Sequence, residues 1–206
     1  AMDKDGNTPL DYADGEIAAL LRKHGGKMGE ELENAEPVAE AAKVEPPTAK
    51  APVISIHDAA LEGNIEVVKQ HLAAGADVNT KHKPYGTPLH SAANKEIAEL
   101  LIANGADVNA KDIYDRTPLH AVAEEGHKAV ADLLIAKGAD VNAKDVDGWT
   151  PLHIATREVA ESLTVNGADV NAKGFGGTPL DRAIKYNHTE TADLLRKHGG
   201  KTGAEL

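Results

Sequence analysis

Two short strings recur along the chain, and their recurrence limits the possible folds more than any other feature. The triplet Thr-Pro-Leu begins at Thr8, Thr87, Thr117, Thr150 and Thr178. The string Gly-Ala-Asp-Val-Asn begins at Gly75, Gly105, Gly138 and Gly167, with spacings of 30, 33 and 29 residues. Self-similarity at such a period is typical of arrays built from one supersecondary unit. We therefore expect a stack of similar units.

Each unit is expected to hold two short helices. In the third unit, Thr117 suits the N-cap and Pro118 suits the first helical position, where no hydrogen bond is lost. Gly126 is expected to end this helix, and a second helix is predicted over residues 127–136 from its apolar stripe. Gly138 is expected to end that helix, since glycine readily adopts a left-handed conformation. The unit then continues into a hairpin-like finger.

The string Thr-Pro-Leu-His-Ala-Val-Ala at residues 117–123 resembles the ankyrin repeat family, and the resemblance covers residues 53–206. It implies an all-α solenoid of stacked helix-turn-helix units with hairpin-like fingers. Five repeats are expected over residues 53–206, with the first and last serving as caps. The resemblance also implies a non-catalytic protein–protein interaction module or scaffold that uses its fingers and first helices. The alternatives are a structural spacer or rigid arm within a larger multi-array protein, and a targeting module for an enzyme outside this chain.

Residues 1–33 resemble a terminal repeat of a preceding array. The segment 20–32 matches the segment 194–206 at 11 of 13 positions. An Ala/Glu/Pro-rich linker follows over residues 34–52. We expect the chain to be part of a longer protein with at least two arrays, and its first three residues to be a cloning remnant. Residues 3–33 are expected to stack on an array end, in the same molecule or in a second copy, which would permit self-association.

The repeats alternate in length. From the threonine of Thr-Pro-Leu to the end of the second-helix leucine pair, the separation is 17 residues in the third and fifth repeats, 14 in the second and 13 in the fourth. The missing residues amount to about one helical turn. We expect a stepped surface, on which the helix–helix turns of repeats one, three and five project beyond their neighbours.

Composition and motifs exclude several functions. A net charge of −11 argues against a nucleic-acid partner, and no apolar run is long enough to cross a membrane. The chain has no cysteine, which fits a reducing compartment and favours the cytoplasm. It also lacks the G-x-S-x-G, P-loop and H-E-x-x-H motifs. We therefore predict no catalytic residue, no cofactor and no metal ligand.

Recurrent histidines and asparagines are interpreted as structural. By the resemblance, the histidines of Thr-Pro-Leu-His hydrogen-bond and brace the loop before the helix. These histidines and their equivalent in the first repeat are His57, His90, His120 and His153. The asparagines of Asp-Val-Asn are expected to bond nearby backbone in turns. They are Asn79, Asn109, Asn142 and Asn171.

The candidate partner-binding residues lie in the fingers, each of which carries one large aromatic residue and a lysine near its base. Aromatic side chains are enriched among interface anchors. The candidates are Lys81, Tyr85, Lys111, Tyr114, Arg116, Lys144, Trp149 and Phe175. Tyr114 and Trp149 are expected to be central anchors because they lie mid-array. The alternative is that the rings only fill contacts between adjacent fingers.

Overall fold

The fold is a stack of short antiparallel helix pairs. The computed structural model describes residues 54–206, so the predicted terminal unit 1–33 and linker 34–52 lie outside the described residues. Within the described part there are nine α-helices and one 3-10 helix, and no strand beyond two isolated bridges in the fingers. The α-helices are α1 (Ile56–Leu61), α2 (Ile65–Ala73), α3 (Lys95–Ala103), α4 (Pro118–Glu125), α5 (Lys128–Ala136), α6 (Pro151–Ile154), α7 (Arg157–Val165), α8 (Pro179–Lys185) and α9 (Thr189–Lys197). The 3-10 helix spans Pro88–Ser91 and begins repeat two.

The predicted helix signals of the third repeat are confirmed. Thr117 is the N-cap of α4, with Pro118 at the first helical position. Gly126 ends α4 in the left-handed region at a φ of 79°. The second helix begins at Lys128 and ends at Ala136, one residue from the predicted start. Gly138 follows at a φ of 90°, a conformation that costs glycine little.

Leucines from successive repeats form one continuous core. Repeats two to five each contribute the leucine of Thr-Pro-Leu from the first helix and another leucine from the second helix. All eight are at most 1% exposed: Leu89, Leu101, Leu119, Leu134, Leu152, Leu163, Leu180 and Leu195. Buried alanines such as Ala98, Ala131 and Ala160 lie between the leucines and allow the helices to approach closely. The helix pairs of repeats two, three and four therefore bury both faces against neighbouring repeats.

The expected alternation in length lies in the first helices. The first helices of repeats two and four have four residues each, whereas α4 has eight. Each shortened repeat is joined to the longer repeat before it by a backbone hydrogen bond. The Ala93 amide donates to the Ala60 carbonyl at 3.1 Å, and the Thr156 amide donates to the Ala123 carbonyl at 3.0 Å. Repeats one and two, and repeats three and four, are therefore linked as long–short pairs.

Polar side chains mark both ends of the array. His71 occupies the place that a core leucine has in α5, and its Nε2 lies 2.8 Å from the Ile54 carbonyl oxygen. In the last repeat, Asp181 replaces the histidine of Thr-Pro-Leu-His and accepts the amide of Gly203 at 2.8 Å. In this repeat a carboxylate that accepts an amide therefore stands where repeats two to four have an imidazole that donates to a carbonyl. The capping roles expected of the first and last repeats stay predictions.

Candidate partner-binding surface

Buried histidines hold each finger against the first helix of the repeat before it. In repeat three, the Thr117 amide donates to Nδ1 of His120 at 3.0 Å. Because Nδ1 accepts, the imidazole proton is on Nε2, which donates to the Trp149 carbonyl in the next finger at 3.1 Å. His90 makes the same contacts with Thr87 and with the Arg116 carbonyl. The histidines thus brace the loop before the helix, as the resemblance implies, and they also fix the following finger.

Burial keeps these imidazoles neutral. It lowers the pKa of His57, His90, His120 and His153 below the usual histidine value, against the opposing effect of their hydrogen bonds to carbonyl oxygens. A protonated Nδ1 could no longer accept the threonine amide. For His90, His120 and His153, which accept a threonine amide at Nδ1, the neutral form is therefore the one that these contacts require.

The asparagines join neighbouring repeats rather than only closing their own turns. Asn79 Oδ1 accepts the Asp107 amide at 2.9 Å, and its Nδ2 donates to the Gly105 carbonyl at 3.0 Å. The same pair of bonds recurs at Asn109, Asn142 and Asn171. Because each asparagine holds both a donor and an acceptor of the next repeat, it fixes the spacing between finger bases.

Three of the four predicted finger rings are open to solvent. Tyr85, Tyr114 and Phe175 are 63%, 51% and 78% exposed. The finger backbones nevertheless contact one another, since the Val146 amide donates to the Tyr114 carbonyl and the Phe175 amide donates to the Asp147 carbonyl. Main-chain hydrogen bonds thus connect the last three fingers, and these contacts do not involve the side chains of Tyr114 and Phe175. The Tyr85 ring stacks on His82 of its own finger, with the ring centroids 6.0 Å apart.

Trp149 differs from the other rings because it is half-buried. Its Nε1 donates to the Phe175 carbonyl at 2.7 Å, and the Arg182 guanidinium lies 3.8 Å from the ring centroid. A Cβ on Gly174 would lie 2.5 Å from the indole, so glycine is required there. The indole therefore connects two fingers with α8, as the finger-packing alternative predicts for this ring.

Three open cavities lie where the fingers meet the first helices. Their volumes are about 410, 280 and 190 Å³, and the two larger ones approach or fall within the range of small-ligand sites. Five predicted residues line them: Tyr85, Tyr114, Arg116, Trp149 and Phe175. The predicted lysines Lys81, Lys111 and Lys144 are exposed but line none of these three cavities. Lys111 instead lies 3.5 Å from the Asp115 carboxylate.

Apart from Arg116, the predicted residues do not include the charged side chains that line the cavities. The largest cavity is lined by Asp58 of α1 and by Glu124 and Glu125 of α4. The second is lined by Arg182 and Lys185 of α8. The shortening of repeat two is the sequence signal that could have indicated Asp58, Glu124 and Glu125. A short first helix in repeat two leaves the neighbouring helices α1 and α4 uncovered on the sides that face it.

Residues 54–206 contain neither a group of metal-binding side chains nor a helix that could span a membrane. In that range no three His, Asp or Glu side chains are grouped to hold a metal ion. No helix in the same range is both long and apolar enough to cross a membrane.

Comparison with known proteins gives the family. The family model for ankyrin repeats, described as three copies, matches residues 56–145 and 143–205. A search of curated proteins finds no match. Ankyrin repeats are generally protein–protein interaction modules, and the family is typically non-catalytic. A match over well more than half of the chain, together with the stacked helix pairs and fingers, shows that this protein belongs to the ankyrin repeat family.

Proposed function

We propose that the chain recognises a partner protein through the face formed by its fingers and first helices. The observation that carries this proposal is the row of exposed rings, Tyr85, Tyr114 and Phe175, beside the cavities. Aromatic side chains next to concave surface are frequent anchors of protein interfaces. A spacer would need no such row.

The proposed surface is rigid before it meets a partner. Histidine and asparagine side chains fix the fingers, and main-chain hydrogen bonds connect neighbouring fingers. Because these groups are already ordered, binding costs little additional conformational entropy. This supports recognition by a preformed face.

The test is a pull-down from the source cells with the full chain as bait. The triple variant Tyr85→Ala, Tyr114→Ala, Phe175→Ala should lose the proteins that the wild type retains. Val165→Ala is the matched control, since Val165 is 68% exposed but lies at the end of α7. Retention of the same proteins by the triple variant would contradict the proposal. Retention of nothing by the wild type would favour the spacer.

A second candidate function, self-association, is supported at the last repeat. Ile184 of α8 is 45% exposed. It occupies the position of Ala60 and Ala123, whose carbonyl groups accept a hydrogen bond from the short repeat that follows each of them. We propose that residues 3–33 of a second copy, a short-type repeat by sequence, cover this face. Light scattering should then show an oligomer that grows with concentration and is lost in Ile184→Asp. A monomer at every concentration would contradict it.

A further inference from the structure

The largest of the three cavities described above is a notch over the shortened first helix of repeat two. Its walls are α1, which contributes Asp58 and Leu61, and α4, which contributes Glu124 and Glu125. Its floor is the four-residue 3-10 helix, through Ser91 and His90. A first helix as long as α4 would extend into this space. We call this cavity of about 410 Å³ the notch.

The notch is acidic. Four carboxylates line it, those of Asp58, Asp112, Glu124 and Glu125, against one guanidinium, that of Arg116. The guanidinium is already paired with Glu124 at 2.6 Å. Burial lowers the pKa of His57 and His90, so these two lining imidazoles add no positive charge at neutral pH.

Among residues 54–206, three of these carboxylates have no lysine or arginine within ion-pair distance, those of Asp58, Asp112 and Glu125. The Asp112 carboxylate is occupied by the backbone amides of Tyr114 and Arg116, which donate to it at 2.8 and 2.9 Å, so Asp58 and Glu125 are the two that remain. Glu125 lies 3.3 Å from Nδ1 of His127, and Asp58 accepts the Ser55 hydroxyl at 2.7 Å. Both are on the notch walls, one on each side. A cation entering between α1 and α4 would meet both of them.

This charge is local and does not simply follow from the net charge of −11. The cavity at the other end of the same face is lined by Arg182 and Lys185 against the single carboxylate of Asp147. The finger face therefore changes sign along the array. A partner whose charges are complementary to this change of sign would bind in one register along the array.

The rim of the notch is apolar and aromatic. Leu61 is 57% exposed, and the rings of Tyr85 and Tyr114 stand on the finger side. Lysine and arginine combine an apolar stem with a charged head. The stem could pack against the apolar rim while the head reaches the carboxylates of the notch. Tyrosine faces also attract cations.

We propose that the notch binds a lysine or arginine side chain on an exposed segment of the partner protein. This inference rests on the proposed function and adds the chemistry of the bound segment. The stem of the basic side chain lies against Tyr85, Tyr114 and Leu61, and its head lies between the carboxylates of Asp58 and Glu125.

The probe is a phage-displayed library of random dodecapeptides, selected against the immobilised full chain at neutral pH. Selected peptides should share a basic position, and replacement of that residue by glutamine should weaken binding about tenfold or more. The dissociation constants are measured by fluorescence anisotropy with labelled synthetic peptides.

The variant Asp58→Asn, Glu125→Gln should weaken the basic peptide by a similar factor, about tenfold, and leave the glutamine peptide unchanged. The matched control is Glu158→Gln, Glu161→Gln, which removes two charges from exposed positions of α7 that do not line the cavities. Since Asp58 lies in the first turn of α1, the single variant Glu125→Gln provides a second measurement without a change at the helix start.

Two results would overturn the inference. Selected peptides could lack a shared basic residue, or the notch variants and the α7 control could bind them equally. If such peptides still lose binding in Tyr85→Ala, Tyr114→Ala, the charge assignment is wrong while the proposed function stands. If no peptide depends on the finger rings, the proposed function fails as well.

Discussion

At the residue scale, four buried histidines couple the fingers to the helices. His120 is fully buried and holds Thr117 on one side and the Trp149 carbonyl on the other. His57, by contrast, reaches two carbonyls of its finger, those of Thr80 and Gly86. Each imidazole therefore satisfies backbone groups that belong to another part of the array.

Removal of one such imidazole is expected to be costly. His120→Ala leaves a cavity and unsatisfied backbone groups, so the free energy of unfolding should fall by about 2–4 kcal/mol. Urea denaturation followed by circular dichroism measures this. His198→Ala, at the exposed end of α9, is the control and should change little. Equal stability of the two variants would show that the bracing contacts contribute nothing.

The same residues predict a pH dependence of stability. Burial lowers the pKa of His57, His90, His120 and His153 in the folded state. In the unfolded chain they take up protons at about pH 6.5, so below that pH the unfolded state binds more protons and stability falls. The contribution of these histidines to the free energy of unfolding should be fully present above about pH 6.5. It should be lost progressively as the pH falls towards their lower pKa values in the folded state.

Urea melts between pH 7.5 and 5.5 check this dependence, since most carboxylates titrate below that range. His120→Gln should show a shallower decline than the wild type because one of the four titrating groups is absent. A stability that stays constant across this range would contradict the interpretation.

At the element scale, glycines at the turns of the long repeats contact the shortened repeats. Gly126 has a φ of 79°, and a Cβ there would lie 3.0 Å from Cγ2 of Thr156. Gly63 has a φ of 74°, and a Cβ there would lie 3.3 Å from Nδ2 of Asn94. These turns support the link between each long repeat and the short repeat after it.

Gly126→Ala is expected to destabilise more than Gly138→Ala. Both glycines have a left-handed φ, but nothing lies within 4 Å of a Cβ at Gly138. The free energy of unfolding should fall by about 1 kcal/mol in the control Gly138→Ala because of backbone strain. In Gly126→Ala it should fall by about 2 kcal/mol. Thr156→Ser removes the contacting methyl group and should recover part of the difference. Equal losses in denaturant titrations would show that the contact is not tight.

The finger rings should divide into a structural and a free class. Trp149→Ala removes the hydrogen bond to Phe175 and the stacking with Arg182, so stability should fall by about 2 kcal/mol. Tyr114→Ala should change stability by less than about 0.5 kcal/mol, because the ring is 51% exposed. Thermal melts compare the two variants. If Trp149→Ala leaves the melting temperature unchanged, the ring is not needed for stability. Trp149 would then remain a candidate anchor for a partner, as predicted from the sequence.

At the scale of the whole molecule, stability comes from stacking of repeats. The core runs through all five repeats, with no metal-binding group among residues 54–206. Because a bound metal would add directly to folding free energy, a chelator should leave the melting temperature unchanged. A drop in the melting temperature with EDTA, reversed by added zinc, would contradict this expectation.

Much of the fold follows from the sequence by itself. The period near 33 residues indicates the stack, and the threonine, proline and glycine signals place the ends of α4 and α5 to within one residue. These features depend on local backbone geometry, which short segments encode. The alternation of long and short repeats could also be counted directly.

The tertiary structure decided which side chains meet. The sequence could not show that Asp58 and Glu125 face the same notch, since their approach depends on the length of the repeat between them. Nor could it show that Trp149 is held by Arg182, or that Asn79 bonds the next repeat. Such contacts arise between residues 25 or more positions apart in the chain, and only stacking of the repeats brings them together.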